Sequence, residues 1–256
     1  MDSAERTVIF LHVPKTGGTT LQHILQRCYA RNELCTFTDA NRESQIANFT
    51  RLAAEQRAQY RLIQGHLSFG FHRYLPGDSI YITLLRDPIS RALSFYHYAQ
   101  SHPGHYLHPV LKSDQVDLKM LLKERTVTTQ ELFNLQTGMI AGGEYYDSER
   151  PADRAALERA KRNLQDHFVV GLTEEFDASV RLMSQLFGWN VGAYGKRNVT
   201  RRKRGTDALD SETISLLHQA NALDIELYQF ARELFETQCR ARAKDATTAL
   251  ASRVPD

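Results

Sequence analysis

The chain has 256 residues, enough for one large α/β domain, and its apolar and charged contents are those of an ordinary globular protein. Thirty-two lysines and arginines face thirty acidic residues, for a formal net charge of +2. That balance excludes a global attraction to nucleic acid or an anionic membrane, so any anion site must be a local concentration of charge.

The three cysteines, Cys28, Cys35 and Cys239, show no metal-ligand spacing and make a poor disulfide framework, so reduced thiols are expected. The start, Met-Asp-Ser-Ala-Glu-Arg, lacks the basic and apolar regions of a signal peptide, and the apolar run Val8 to Val13 is too short for a membrane span. The expectation is a cytoplasmic protein with one domain over residues 1–240 and a frayed tail over 241–256.

Val8 to Val13 reads as a buried strand, Pro14 to Gly18 as a turn, and Thr19 to Ala30 as a helix with Leu21, Ile24, Leu25 and Cys28 on one face. Arg42 to Tyr60 predicts a polar helix and Arg61 to Gln64 a short strand ending at Gly65-His66. Ser79 to Leu85 is the clearest strand. Arg86-Asp87-Pro88 ends it, and Pro88 suits the first turn of a helix that reaches about His102. Pro103 to Pro109 reads as a loop, Asp117 to Glu124 and Thr129 to Gly138 as short helices, and Gly142-Gly143 as a break. Beyond it come a helix over Asp153 to Leu164, a strand over His167 to Gly171 and a helix over Phe176 to Phe187. An irregular basic stretch, Trp189 to Thr206, precedes one long amphipathic helix over Ser211 to Phe235. Strands alternating with helices predict an α/β fold, a central and mainly parallel sheet flanked by helices, with ligands at the carboxyl ends of the strands.

Two segments carry chemistry. Pro14-Lys15-Thr16-Gly17-Gly18-Thr19-Thr20 joins the first strand to the first helix. Backbone N–H groups in such a turn converge on an anion, and the helix dipole favours negative charge there. Gly17 and Gly18 allow close approach, Thr19 and Thr20 add hydroxyls, and Lys15 adds a mobile charge. The common nucleotide loop, G-x-x-x-x-G-K-[ST], places lysine after its glycines, whereas here it precedes them. In the second segment Arg86 closes a strand, and Ser94 stands two turns along the next helix, facing back toward the strand end. A guanidinium and a hydroxyl so placed can hold one phosphate. The bland alternatives are a capped turn with an exposed lysine, and an Arg-Asp pair with Ser94 merely exposed. Arg91 either supports the phosphate or is solvated.

Pro14 to Leu21 resembles the 5′-phosphosulfate loop of the sulfotransferases, closest to the branch of heparan sulfate 2-O- and 6-O-sulfotransferases and their soluble bacterial relatives. The resemblance implies a P-loop-like sulfotransferase fold. It implies that Lys15, Thr16, Gly17, Gly18, Thr19 and Thr20 hold the 5′ end of 3′-phosphoadenosine 5′-phosphosulfate (PAPS). Arg86 and Ser94 would hold the 3′-phosphate that PAPS and its product PAP carry and ATP lacks. His167 to Phe176 resembles a late strand and helix start of the family and is read as structural. Asn198 to Gly205 loosely resembles a basic loop that closes over the 3′-phosphate, with Arg201 and Arg204 as the candidates and a solvated loop as the alternative. The likeness runs from about Val8 to Phe235 and is thin from Tyr98 to Arg162.

Sulfuryl transfer requires deprotonation of the acceptor hydroxyl, in-line attack on sulfur, and neutralisation of the leaving phosphate oxygen. Lys15 and the loop amides suit the last task, and no metal is expected. Gly65-His66 resembles the segment that supplies the histidine base in the 2-O branch, so His66 is the candidate base and His72 the reserve. His12 is read as a packing or supporting group. Phe69, Phe71, Tyr96 and Tyr98 either line an acceptor pocket or pack as ordinary aromatics. The expected partner is a hydroxyl-bearing carbohydrate or small molecule. Competing readings are a P-loop kinase or nucleotide hydrolase, which requires an acidic residue for Mg²⁺ at a strand end, and a non-catalytic nucleotide-binding protein on the same fold.

Overall fold

In a computed structural model of the chain the structure describes residues 6–38, 40–112, 116–124, 127–146, 150–195 and 209–251. The first half runs β1 (Thr7–Leu11), α1 (Gly18–Cys28), β2 (Leu34–Thr36), α2 (Arg42–Arg51), α3 (Ala54–Arg57), β3 (Leu62–Gly65), β4 (Ser79–Leu85) and α4 (Pro88–Ser101). Four short helices follow: α5 (His108–Lys112), α6 (Leu118–Glu124), α7 (Leu135–Ala141) and α8 (Gly143–Tyr146). The remainder is α9 (Arg154–His167), β5 (Phe168–Leu172), α10 (Phe176–Phe187), α11 (Ser211–Ala220) and α12 (Ala222–Ala251). The five strands form one sheet in the order β2-β3-β1-β4-β5, and every pairing is parallel. Every residue of β3 and β5 is buried, as a sheet covered on both faces requires.

The apolar interior divides in two. The larger cluster holds the sheet with residues of α1, α7, α9, α10 and α12. The smaller gathers Leu93 and Phe95 of α4 with Leu111, Leu118, Leu121, Leu122, Leu132 and Leu217. Among the described residues no helix is long and apolar enough to cross a membrane.

Three expectations are corrected. The helix expected over Ser211 to Phe235 breaks at Asn221. That side chain donates to the carbonyls of Leu132 (3.0 Å) and Leu217 (3.1 Å). Meanwhile Asn134 Oδ1 accepts from Leu223 N–H (3.0 Å) and Asp224 N–H (3.1 Å), capping α12 from a distant segment. The helix expected over Thr129 to Gly138 is interrupted at the same Asn134, whose φ is 46°. Arg42 to Tyr60 forms two helices separated at Leu52 and Ala53, both extended. At the other end α12 remains helical for ten residues past Ala241, to Ala251.

Candidate donor-binding and transfer site

The phosphosulfate-type loop leaves the carboxyl end of β1, and Arg86 leaves that of β4, its immediate neighbour in the sheet. Parallel pairing thus brings together two segments some seventy residues apart. Their contact is direct: Arg86 Nη1 donates to the carbonyl of Lys15 at 3.0 Å. Thr173, just beyond β5, fastens the same region. Its hydroxyl lies 2.6 Å from the Thr16 carbonyl and 3.1 Å from the Leu85 carbonyl.

The loop geometry explains its residues. Lys15 has φ 69° and Gly17 φ 83°, a turn that opens directly into α1. Gly18 presses on the His12 ring, where an added Cβ would lie 2.0 Å from His12 Cδ2, so no side chain fits without displacing that ring. No hydrogen bond among the described residues engages the N–H groups of Thr16, Gly17, Gly18 or Thr19. Four amide donors at the start of a helix make an anion cradle. Thr16 contributes only its backbone. Its side chain is fully buried and its hydroxyl donates to the Val13 carbonyl at 2.8 Å.

Lys15 is half-buried, with its ammonium 3.8 Å from the centroid of the Tyr98 ring. Burial, and then the nearby Arg86 charge, lower its pKa to about 8, while Glu131 pulls the other way. Tyr98 lies four residues beyond Ser94 on α4, so the two share one helix face, and that face meets Lys15. Ser94 is half-buried there. Asp87 starts α4 by accepting from Ser90 N–H at 2.8 Å, with Pro88 in the first turn.

His66 follows β3 on the other side of β1. Its ring meets the His12 ring edge-on at 4.6 Å between centroids. One ring therefore separates it from Gly18. Its carbonyl accepts from Arg42 Nη1 at 3.1 Å, and His12 N–H donates to Gly65 O at 3.0 Å, fixing the β3 end against the β1 end. The reserve histidine lies elsewhere. His72 Nδ1 is 3.0 Å from the Tyr81 hydroxyl, and its ring stacks near His167. Tyr81 stands four residues before Leu85, roughly 13 Å back from the carboxyl end at strand rise. Phe71 packs in the core against Phe37 and Phe49, and the half-buried Phe69 packs on Tyr81.

Arg91 is not solvated. It is fully buried, with Nη2 2.6 Å from the Glu131 carbonyl and the Asp224 charge nearby, while Nε and Nη1 have no hydrogen-bond partner among the described residues. Arg201 and Arg204 lie outside the described residues. The segment leading toward them is anchored close to the loop. Arg27 of α1 donates to the carbonyls of Val191 and Ala193, and Tyr194 packs on Phe176, which in turn borders Gly17. Reading the sequence missed Gln136, whose side-chain amide brackets the backbone of Arg86. No local pattern marks it, because its partner lies 50 residues away. Among the described residues no group of three or more His, Cys, Asp or Glu side chains is placed to hold a metal ion.

An anion cradle on β1, with a lysine beside it and an arginine on the adjoining strand end, defines an α/β protein built to hold a multiply charged group. The galactose-3-O-sulfotransferase family model matches residues 2–252, and the chain belongs to that family. It is 29% identical to heparan-sulfate 6-O-sulfotransferase 1-B of Danio rerio, over 91% of this chain and 66% of that protein. It is 27% identical to heparan sulfate 2-O-sulfotransferase 1 of Xenopus laevis, over 92% of this chain and 72% of that protein. The chain thus spans about two thirds of the first relative's length. A crystal structure of mouse sulfotransferase SULT7A1 complexed with PAP matches 88% of this chain and 67% of its own, at 15% identity and a TM-score of 0.41.

Proposed function

We propose that this chain transfers the sulfuryl group of PAPS to a hydroxyl of a carbohydrate acceptor. The observation that carries the reading is the 3.0 Å bond from Arg86 to the Lys15 carbonyl, which brings together the two segments proposed to bind the donor. The loop amides and Lys15 receive the 5′-phosphosulfate. Arg86 and Ser94 receive the 3′-phosphate, and Arg201 and Arg204 are the proposed later contributors. As the acceptor oxygen attacks sulfur, the bond from sulfur to the bridging phosphate oxygen breaks. Lys15 offsets the charge that develops on that oxygen, and PAP leaves. His66 takes the acceptor proton, held in place by His12 and by Arg42 on its own carbonyl. The names of the relatives favour a carbohydrate acceptor, and the choice among sugars is left to the assay.

The test is formation of PAP from PAPS with a panel of hydroxylated sugars and small alcohols, for the parent protein and for His66→Ala. The reading expects PAP production that depends on acceptor and on His66. A protein that binds PAP but transfers to nothing would instead be a nucleotide-binding relative without catalysis.

A further inference from the structure

Beyond the residues proposed to bind the donor, α7 contains a buried side chain, Gln136, whose polar partners among the described residues are the main-chain groups of Arg86. Gln136 is 1% exposed. Its Oε1 accepts from Arg86 N–H at 3.0 Å and its Nε2 donates to Arg86 O at 2.9 Å. The pairing of β4 with β5 ends one residue earlier, at Leu85 with Leu172. The side-chain amide therefore stands in for a strand partner where the ladder has stopped, and holds both backbone groups of Arg86.

Gln136 is itself fixed. Its own N–H donates to Asp224 Oδ2 at 3.1 Å, and Thr137 N–H donates to Asp224 Oδ1 at 2.7 Å. In return Asn134 Oδ1 accepts from the first turn of α12. A continuous set of bonds thus runs from the buried Asp224 through Gln136 to the Arg86 backbone, and from Arg86 Nη1 to the Lys15 carbonyl. With its backbone held at two points and one guanidinium nitrogen committed to the loop, Arg86 keeps Nε and Nη2 without a protein hydrogen bond among the described residues. Those are the donors a phosphate takes up.

We infer that Gln136 is a positioning residue for donor specificity: by bracketing the Arg86 backbone it aims the guanidinium at the 3′-phosphate and so sets the preference for PAP over nucleotides that lack that group. This rests on the donor reading above. Holding a guanidinium in advance removes the cost of ordering it at binding, and a misaimed one loses a charge-assisted bond while the 5′ cradle is untouched.

The test is calorimetric titration with PAP and with ADP of the parent protein, Gln136→Met, Gln136→Glu, Arg86→Ala and the double variant Arg86→Ala/Gln136→Met. Gln136→Met is expected to weaken PAP binding roughly tenfold, the equivalent of one charge-assisted bond, with ADP affinity unchanged. Gln136→Glu keeps the acceptor for Arg86 N–H and should fall between, which preserves the test if the methionine variant fails to fold. The double variant should bind PAP no more weakly than Arg86→Ala alone, because both act on one interaction. Equal losses for PAP and ADP, or losses that add in the double variant, would overturn the positioning role. A parent protein that does not distinguish PAP from ADP would overturn the donor reading and this inference with it, whereas a discriminating parent with an unchanged ratio in both Gln136 variants defeats the inference alone.

Discussion

The two apolar clusters of the molecule are built on different principles. The sheet cluster carries a site at strand ends, where parallel ladders and side-chain bonds position Lys15, Arg86 and His66. The smaller cluster around α4 to α6 is held by leucine packing and tied to α11 by the ion pairs of Lys119 and Lys123 with Glu212. It bears on the site along one face of α4, through Ser94 and Tyr98. The difference suggests a division of labour. The proposed donor contacts lie mostly at the sheet ends, and the leucine cluster contributes the α4 face that carries Ser94 and Tyr98.

Substitutions can break or sharpen that division. The largest effect is expected for His66→Ala, a loss of about 10²–10⁴-fold in turnover typical of a missing proton acceptor, with PAP affinity kept. Lys15→Ala should lower turnover by about 10²–10³-fold, as for other lost transition-state stabilisers, and weaken PAP binding less. Both are read from PAP release at saturating PAPS. Asp224→Leu leaves Arg91 buried without its countercharge and frees two donors of α7, so urea unfolding should show a loss of about 3–5 kcal/mol. Leu121→Ala, in the second cluster, should cost about 2–5 kcal/mol of stability yet leave the ratio of PAP to ADP affinity unchanged. A shifted ratio there would abolish the distinction between the two regions. The smallest effect concerns pH. The lowered pKa of Lys15 makes its charged form, which favours an anion, abundant below about pH 8 and depleted above it. PAP affinity should therefore decline as pH rises through about 8, and Lys15→Ala should flatten that limb.

How much of this was legible beforehand depended on how local each feature is. Ser79–Leu85 and Phe176–Phe187 emerge with the expected bounds, because apolar run, turn residues and helical spacing all lie within a few residues. The anion loop is local too, so Lys15 to Thr20 was readable from its own glycines and flanking strand. β2 escaped notice, being three residues of partly exposed edge strand. The breaks at Asn134 and Asn221 were invisible because each is made by bonds across nearly ninety residues, while the apolar periodicity over 211–235 continues through the break. The same holds for Gln136, and for the choice between His66 and His72. Both histidines follow one strand, and only the sheet register shows that the first meets His12 at the site while the second turns back onto Tyr81.

The central claim is that the β1 and β4 ends together form a site for a nucleotide carrying a 3′-phosphate. Thermal unfolding in the presence of PAP, of ADP, and of ATP with Mg²⁺ at equal concentrations tests it most directly, since a ligand bound only by the native state raises its stability by mass action. The account predicts a rise with PAP that ADP does not reproduce. A rise only with ATP and Mg²⁺ would contradict it.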